Sequence, residues 1–110
     1  MARDTSDLLH GTLDILVLKT LTWAPMHGYG IAKWIEEHTD NELEIVDSAL
    51  YKSLQRLEER GAIDAEWGVS DNNRRAKYYS LSTRGRQLLR AETATWKRYV
   101  AAVSGVLERA

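Results

Sequence analysis

The stretch Ser48–Thr83 constrains this chain more than any other part of it. A run with helical spacing, SALYKSLQRLEERG, passes into two short alternating runs, AIDAEWG and AKYYSLS. A polar, basic turn joins those two, Ser70-Asp71-Asn72-Asn73-Arg74-Arg75. A period of 3.6 giving way to a period of 2 means a helix feeding a hairpin. Such a helix fits a duplex major groove, and a cationic hairpin tip reaches a neighbouring phosphate or minor groove.

Charge is segregated along the chain. Net charge is only −1, which by itself argues against a general nucleic-acid binder. Yet Asp71–Arg90 holds six bases (Arg74, Arg75, Lys77, Arg84, Arg86, Arg90) against one acid. Glu36–Glu66 holds ten acids against three bases, Lys52, Arg56 and Arg60. A local basic surface matters more to DNA than the net value. From charge alone, ordinary solvated faces remain an equal alternative.

Around the central stretch the pattern is helical. Asp7 to about Trp23 reads as a helix, apolar on several sides and so central, with Thr5, Ser6 or Asp7 as its cap. Pro25 ends it. Met26-His27-Gly28-Tyr29-Gly30 opens a second helix to about His38, with Ile31, Trp34 and Ile35 inward. A short strand is expected at Leu43–Val46, before a third helix from Asp47 to Arg60 capped by Asp47 or Ser48. Leu50, Leu54 and Leu57 form its inner row, and Gly61 ends it in the C′ position. In the hairpin, Ile63, Ala65 and Trp67 alternate with polar neighbours, as do Tyr79 and Leu81. Asn72 and Asn73 suit the left-handed geometry of the turn.

Ser82 or Thr83 caps a last helix, about Arg84 to Leu107. Leu89, Thr93, Trp96, Val100, Val103 and Leu107 repeat at spacings of 4, 3, 4, 3 and 4, a heptad seam. Pairing with a second copy is the expected use; packing on the chain's own first helix is the alternative. The fold class is α+β, mostly α: a winged helix-turn-helix over residues 1–83 and a dimerisation helix over 84–110, in one compact unit.

Other classes find little support. No apolar run approaches the roughly 20 residues that span a bilayer, and MARDTSDLL lacks the basic and apolar regions of a signal peptide. A cytoplasmic location and no membrane partner follow by default. There is no cysteine, and His10, His27 and His38 have no metal-ligand spacing, so neither metal nor cofactor is expected. Glu36-Glu37 and Glu58-Glu59 are consecutive and diverge on a helix, which makes poor acid–base pairs. No enzyme is expected.

These residues carry a resemblance. Leu9-His10-Gly11-Thr12-Leu13, His27-Gly28-Tyr29-Gly30-Ile31, Ser48-Ala49-Leu50-Tyr51, Leu54-Gln55-Arg56-Leu57-Glu58 and Gly61 stand in order. So do Trp67-Gly68, Arg74-Arg75-Ala76-Lys77-Tyr78-Tyr79, Leu81-Ser82-Thr83-Arg84-Gly85-Arg86 and Trp96. The chain resembles the PadR-like transcriptional regulators, in particular their short subfamily with a single C-terminal helix. One departure is Lys52, where the family usually carries proline. The resemblance implies a homodimeric repressor on an inverted-repeat operator, released by a small aromatic or hydrophobic effector. It also implies that the third helix is the recognition helix and that the wing touches DNA beside it.

The expected DNA contacts follow from the residue types. On the third helix they are Ser48, Ala49, Lys52, Ser53 and Arg56, with pairing to acids such as Glu59 as the alternative for the two bases. On the wing they are Asn73, Arg74, Arg75 and Lys77. Tyr29 and Tyr51 can donate to phosphate or simply pack. With Lys52, Arg56, Arg74 and Arg75 each on a phosphate in two subunits, about eight counterions leave and the log–log salt slope is about −7. Trp96 at a two-fold seam can sandwich a planar ligand, with Val100 beside it and Leu8, Gly11, Thr12 and Ile15 as lining. A tryptophan that only fills the interface is the alternative.

Overall fold

A computed structural model describes Leu9 and residues 11–110. In chain order the elements are α1 (Leu13–Thr20), β1 (Met26–His27), α2 (Gly28–Glu37) and α3 (Asp47–Glu59), then β2 (Ile63–Val69), β3 (Arg75–Leu81) and α4 (Thr83–Leu107). The suggested caps Thr5, Ser6 and Asp7 lie outside the described residues, as does the proposed ligand residue Leu8. The architecture is the expected winged helix-turn-helix followed by a long helix.

The core gathers the apolar faces of the first three helices. Leu13, Val17 and Leu18 of α1 meet Ile31 and Ile35 of α2 and Leu50, Leu54 and Leu57 of α3. Ile63 and Tyr79 bring the hairpin into the same cluster. β2 and β3 pair antiparallel, with Ile63 opposite Leu81 and Val69 opposite Arg75. The turn closes with Ser70 N–H donating to the Arg74 carbonyl at 2.8 Å, and Asn73 takes φ +61° there. Asparagine tolerates that left-handed backbone.

Several expectations need correction. The helix expected over Asp7–Trp23 is interrupted: Leu9 is helical, a turn at Gly11–Thr12 separates it from Leu13, and turns with three-residue spacing follow Thr20. No strand forms at Leu43–Val46; the Ile45 N–H donates to Glu36 Oε2 at 3.0 Å instead of to a neighbouring strand. The third strand is Met26–His27, which the sequence assigned to the second helix. It pairs with Tyr79 and Tyr78, giving the sheet order β1-β3-β2. His27 then caps α2, its Nδ1 accepting from Gly30 N–H at 3.0 Å. Neither Asp47 nor Ser48 caps α3; Val46 holds that place, with no side-chain bond. Trp67 was expected inward but is 58% exposed, because β2 runs past the core at that end.

One corner sets the path of α4. Gly61 leaves α3 at φ +72°, the left-handed C′ geometry. Ser82 Oγ donates to the Gly61 carbonyl at 2.7 Å and accepts from Gly85 N–H at 3.0 Å, capping α4. Ser82 N–H donates to the Ala62 carbonyl at 3.1 Å. The helix is thus stapled to the α3–β2 junction before it runs 25 residues outward. Its length accounts for a longest dimension of 56 Å in so small a chain.

Candidate nucleic-acid interface

At 3.6 residues per turn α3 has a buried side and an open one. Leu50, Ser53, Leu54 and Leu57 face inward; Ser48, Lys52 and Gln55 face out. Ala49 is half-buried at the edge between them. Ser53, expected among the DNA contacts, is instead fully buried, and its hydroxyl donates to Asp14 Oδ1 at 2.5 Å. A hydroxyl shut away from solvent needs such a partner, and α1 supplies it.

Arg56 is held by the same carboxylate. Its Nη2 donates to Asp14 Oδ1 at 2.7 Å and its Nε to Asp14 Oδ2 at 3.3 Å. Those hydrogen bonds, more than charge attraction, hold the guanidinium above its ordinary pKa. The sequence offered Glu59 as the acid for such a pair; the acid is Asp14, 42 positions away. Asp14→Ala strands the Ser53 hydroxyl in the core and unpairs Arg56. A loss of about 1–3 kcal/mol is expected in urea unfolding; wild-type stability would show that the bond to Ser53 contributes nothing.

The wing and the start of α2 enclose a groove of about 1100 Å³ beside α3. Tyr29, Tyr51, Arg74, Arg75 and Lys77 all line it. Tyr51 is 55% exposed, so its ring is not core; it lies over Gly28, where an added Cβ would sit 3.1 Å from its hydroxyl. The glycine is what admits the ring. Tyr29 is 70% exposed. Arg75 lies over Trp67, its Cζ 4.6 Å from the ring centroid, which stiffens the wing and holds the guanidinium in place. Lys77 reaches back to Glu58 of α3 at 3.4 Å. Arg74 and Asn73 are exposed at the tip. Lys33, on the exposed side of α2, also lines the groove. It stands alone in sequence, away from the basic cluster, so charge clustering does not mark it.

The expected ligand residues are only partly brought together. Gly11 and Ile15 line a cleft of about 220 Å³, closed by Leu88 and Glu92 of α4, by Arg56 of α3 and by Arg60 just past its end. Thr12 does not line it, and Trp96 and Val100 lie beyond it on the open part of α4. The heptad seam divides in the same way. Leu89 and Thr93 are half-buried against their own chain, whereas Trp96, Val100, Val103 and Leu107 are exposed. Among the described residues, no helix is long and apolar enough to cross a membrane.

Residues 17–91 match the family described as the transcriptional regulator PadR-like family. The chain belongs to that family. PadR-like proteins are transcriptional regulators and not enzymes, so the helix, wing and groove above belong to a DNA-binding regulator. A transcriptional regulator from Clostridium thermocellum superposes with a TM-score of 0.82 at 27% identity, over 91% of this chain and 94% of that one. A PadR family regulator from Eggerthella lenta gives 0.80 at 32% identity, over 94% and 88%. An uncharacterised protein of Lysinibacillus sphaericus is 35% identical over 92 residues, 83% of this chain and 84% of that protein.

Proposed function

We propose that this PadR-like chain is a homodimeric repressor of an inverted-repeat operator, released by a small hydrophobic or aromatic effector. The exposed apolar row on α4 is the observation that carries it. Trp96, Val100, Val103 and Leu107 follow the heptad spacing and are exposed, from 37% at Val100 and Val103 to 77% at Leu107. A second α4 buries them and sets two copies of α3 and the wing on one duplex. Such a two-fold pairs with two half-sites about one helical turn apart, or a multiple of it. Acting on DNA, the protein would work in the cytoplasm.

In this reading Ser48, Ala49 and Lys52 meet bases or phosphates, while Tyr29, Tyr51, Arg74, Arg75 and Lys77 hold the backbone. Asn73 shapes the tip. With Arg56 held by Asp14, Lys52, Arg74 and Arg75 remain as the main free cations on α3 and the wing. In two subunits they displace about six counterions, for a salt slope of about −5. The effector would enter through the cleft at Gly11 and Ile15 and rest between the paired α4 helices near Trp96. By changing the spacing of the two recognition helices it would release the operator.

Val103→Glu tests the pairing. Two carboxylates would face each other across the two-fold in an apolar seam. The dimer dissociation constant is expected to rise at least about 30-fold, about 2 kcal/mol. Sedimentation measures it, and operator binding is expected to fall in parallel while the circular dichroism spectrum is kept. A Val103→Glu protein that stays dimeric would place the interface elsewhere.

A further inference from the structure

The burial of Ser53 and the pairing of Arg56 leave the open side of α3 short of the readers first expected. Ser48, Lys52, Gln55 and Glu59 share one ridge within about 60° of arc. All four are exposed, opposite the buried row. The side chains of Ser48, Lys52 and Gln55 have no hydrogen-bond partner among the described residues. Arg56 stands off the ridge, turned toward α1 and engaged there by both oxygens of Asp14. Glu59 ends the ridge with a negative charge that phosphates repel, so a reading surface stops one turn earlier, at Gln55.

We propose that Gln55 reads a base in each half-site, and that Asp14 is the positioning residue that keeps Arg56 out of that groove. This rests on the operator-binding reading above. A carboxamide presents one donor and one acceptor side by side, and the matching base edge is N7 and N6 of adenine. Lys52, one turn earlier on the ridge, takes the neighbouring base or its phosphate. Arg56, with its Nε and one terminal nitrogen both committed to a carboxylate, is not presented for bidentate recognition of guanine.

Selection of bound duplexes from a random pool tests the assignment, with wild type, Gln55→Ala, Gln55→Lys and Arg56→Ala run in parallel. Wild type is expected to enrich a palindrome with a symmetric pair of adenines. Gln55→Ala flattens the preference at that pair, losing about ten- to hundredfold discrimination, and keeps the rest. Gln55→Lys moves the preference to guanine. Arg56→Ala keeps the adenines. Retention of every preference by Gln55→Ala, or loss of the adenines in Arg56→Ala instead, overturns the role of Gln55. If wild type enriches nothing, operator binding itself fails and the assignment with it.

The role of Asp14 has its own readout. In Asp14→Asn the amide oxygen still accepts from Ser53, so α3 stays anchored, while Arg56 loses the bond from its Nε and the carboxylate charge, keeping one neutral bond that a phosphate outcompetes. The log–log salt slope of the dimer is expected to steepen by about 2, one added phosphate per subunit, with base preference unchanged. A merely structural role would weaken binding without that change, and an unchanged slope overturns the positioning role.

Discussion

Gly85→Ala is expected to cost about 2–4 kcal/mol of unfolding free energy, although alanine is the better helix former. A Cβ at this position would lie 2.0 Å from the Ala62 carbonyl oxygen and 2.7 Å from Leu81 Cδ1. The oxygen is backbone and is already engaged by Ser82 N–H at 3.1 Å, so it cannot step aside. Room comes only from lifting α4 off the α3–β2 corner, which breaks the Ser82 staple. Gly105 on the same helix is the control: an added Cβ there meets nothing within 4 Å. Gly105→Ala is expected to gain up to about 1 kcal/mol through helix propensity alone. Urea unfolding of both variants at one protein concentration checks the pair, because the proposed pairing of two copies would make stability concentration-dependent. Equal effects of the two substitutions would remove the close approach at Gly85 as the cause. Since Gly85 fixes where α4 leaves the domain, any folded Gly85→Ala protein is also expected to bind operator poorly.

The double charge reversal Arg74→Glu, Arg75→Glu is expected to weaken operator binding at least about a hundredfold near 0.15 M salt. Four phosphate contacts per dimer disappear, and the salt slope falls from about −5 to about −2. Both side chains are exposed, so the fold is kept apart from the stacking of Arg75 on Trp67, worth about 0.5–1 kcal/mol. Anisotropy of a labelled operator across a salt series measures both quantities. A winged helix serving only as a protein-interaction module would lose neither. Unchanged affinity and slope in this variant would therefore move the function to that class.

The parts of this fold legible in the sequence are those set by neighbours a few residues apart. Leu50, Leu54 and Leu57 are one face of a helix by spacing alone, and Gly61 marks its end. Period-two alternation gave the hairpin and its turn, and the helical spacing after Ser82 gave α4. Local signals failed where a distant group supplied the bond. The strand Met26–His27 is two residues long and exists because β3 offers its edge. Leu43–Val46 has strand-like composition, yet Glu36 takes the Ile45 N–H that a strand would have shared.

The candidate site divides along the same line. Residue type and order along the chain were enough to propose α3 and the wing as the DNA-facing elements, because amphipathic spacing and clustered arginines are properties of short segments. Which side chains on α3 are free was not written there. Ser53 and Arg56 look outward-capable by composition, and both turn to Asp14, 39 and 42 positions earlier. Gln55, with no charge to draw attention, is left on the open ridge. A hydrogen bond between distant helices depends on how those helices pack, and packing exists only once the chain has folded around its core.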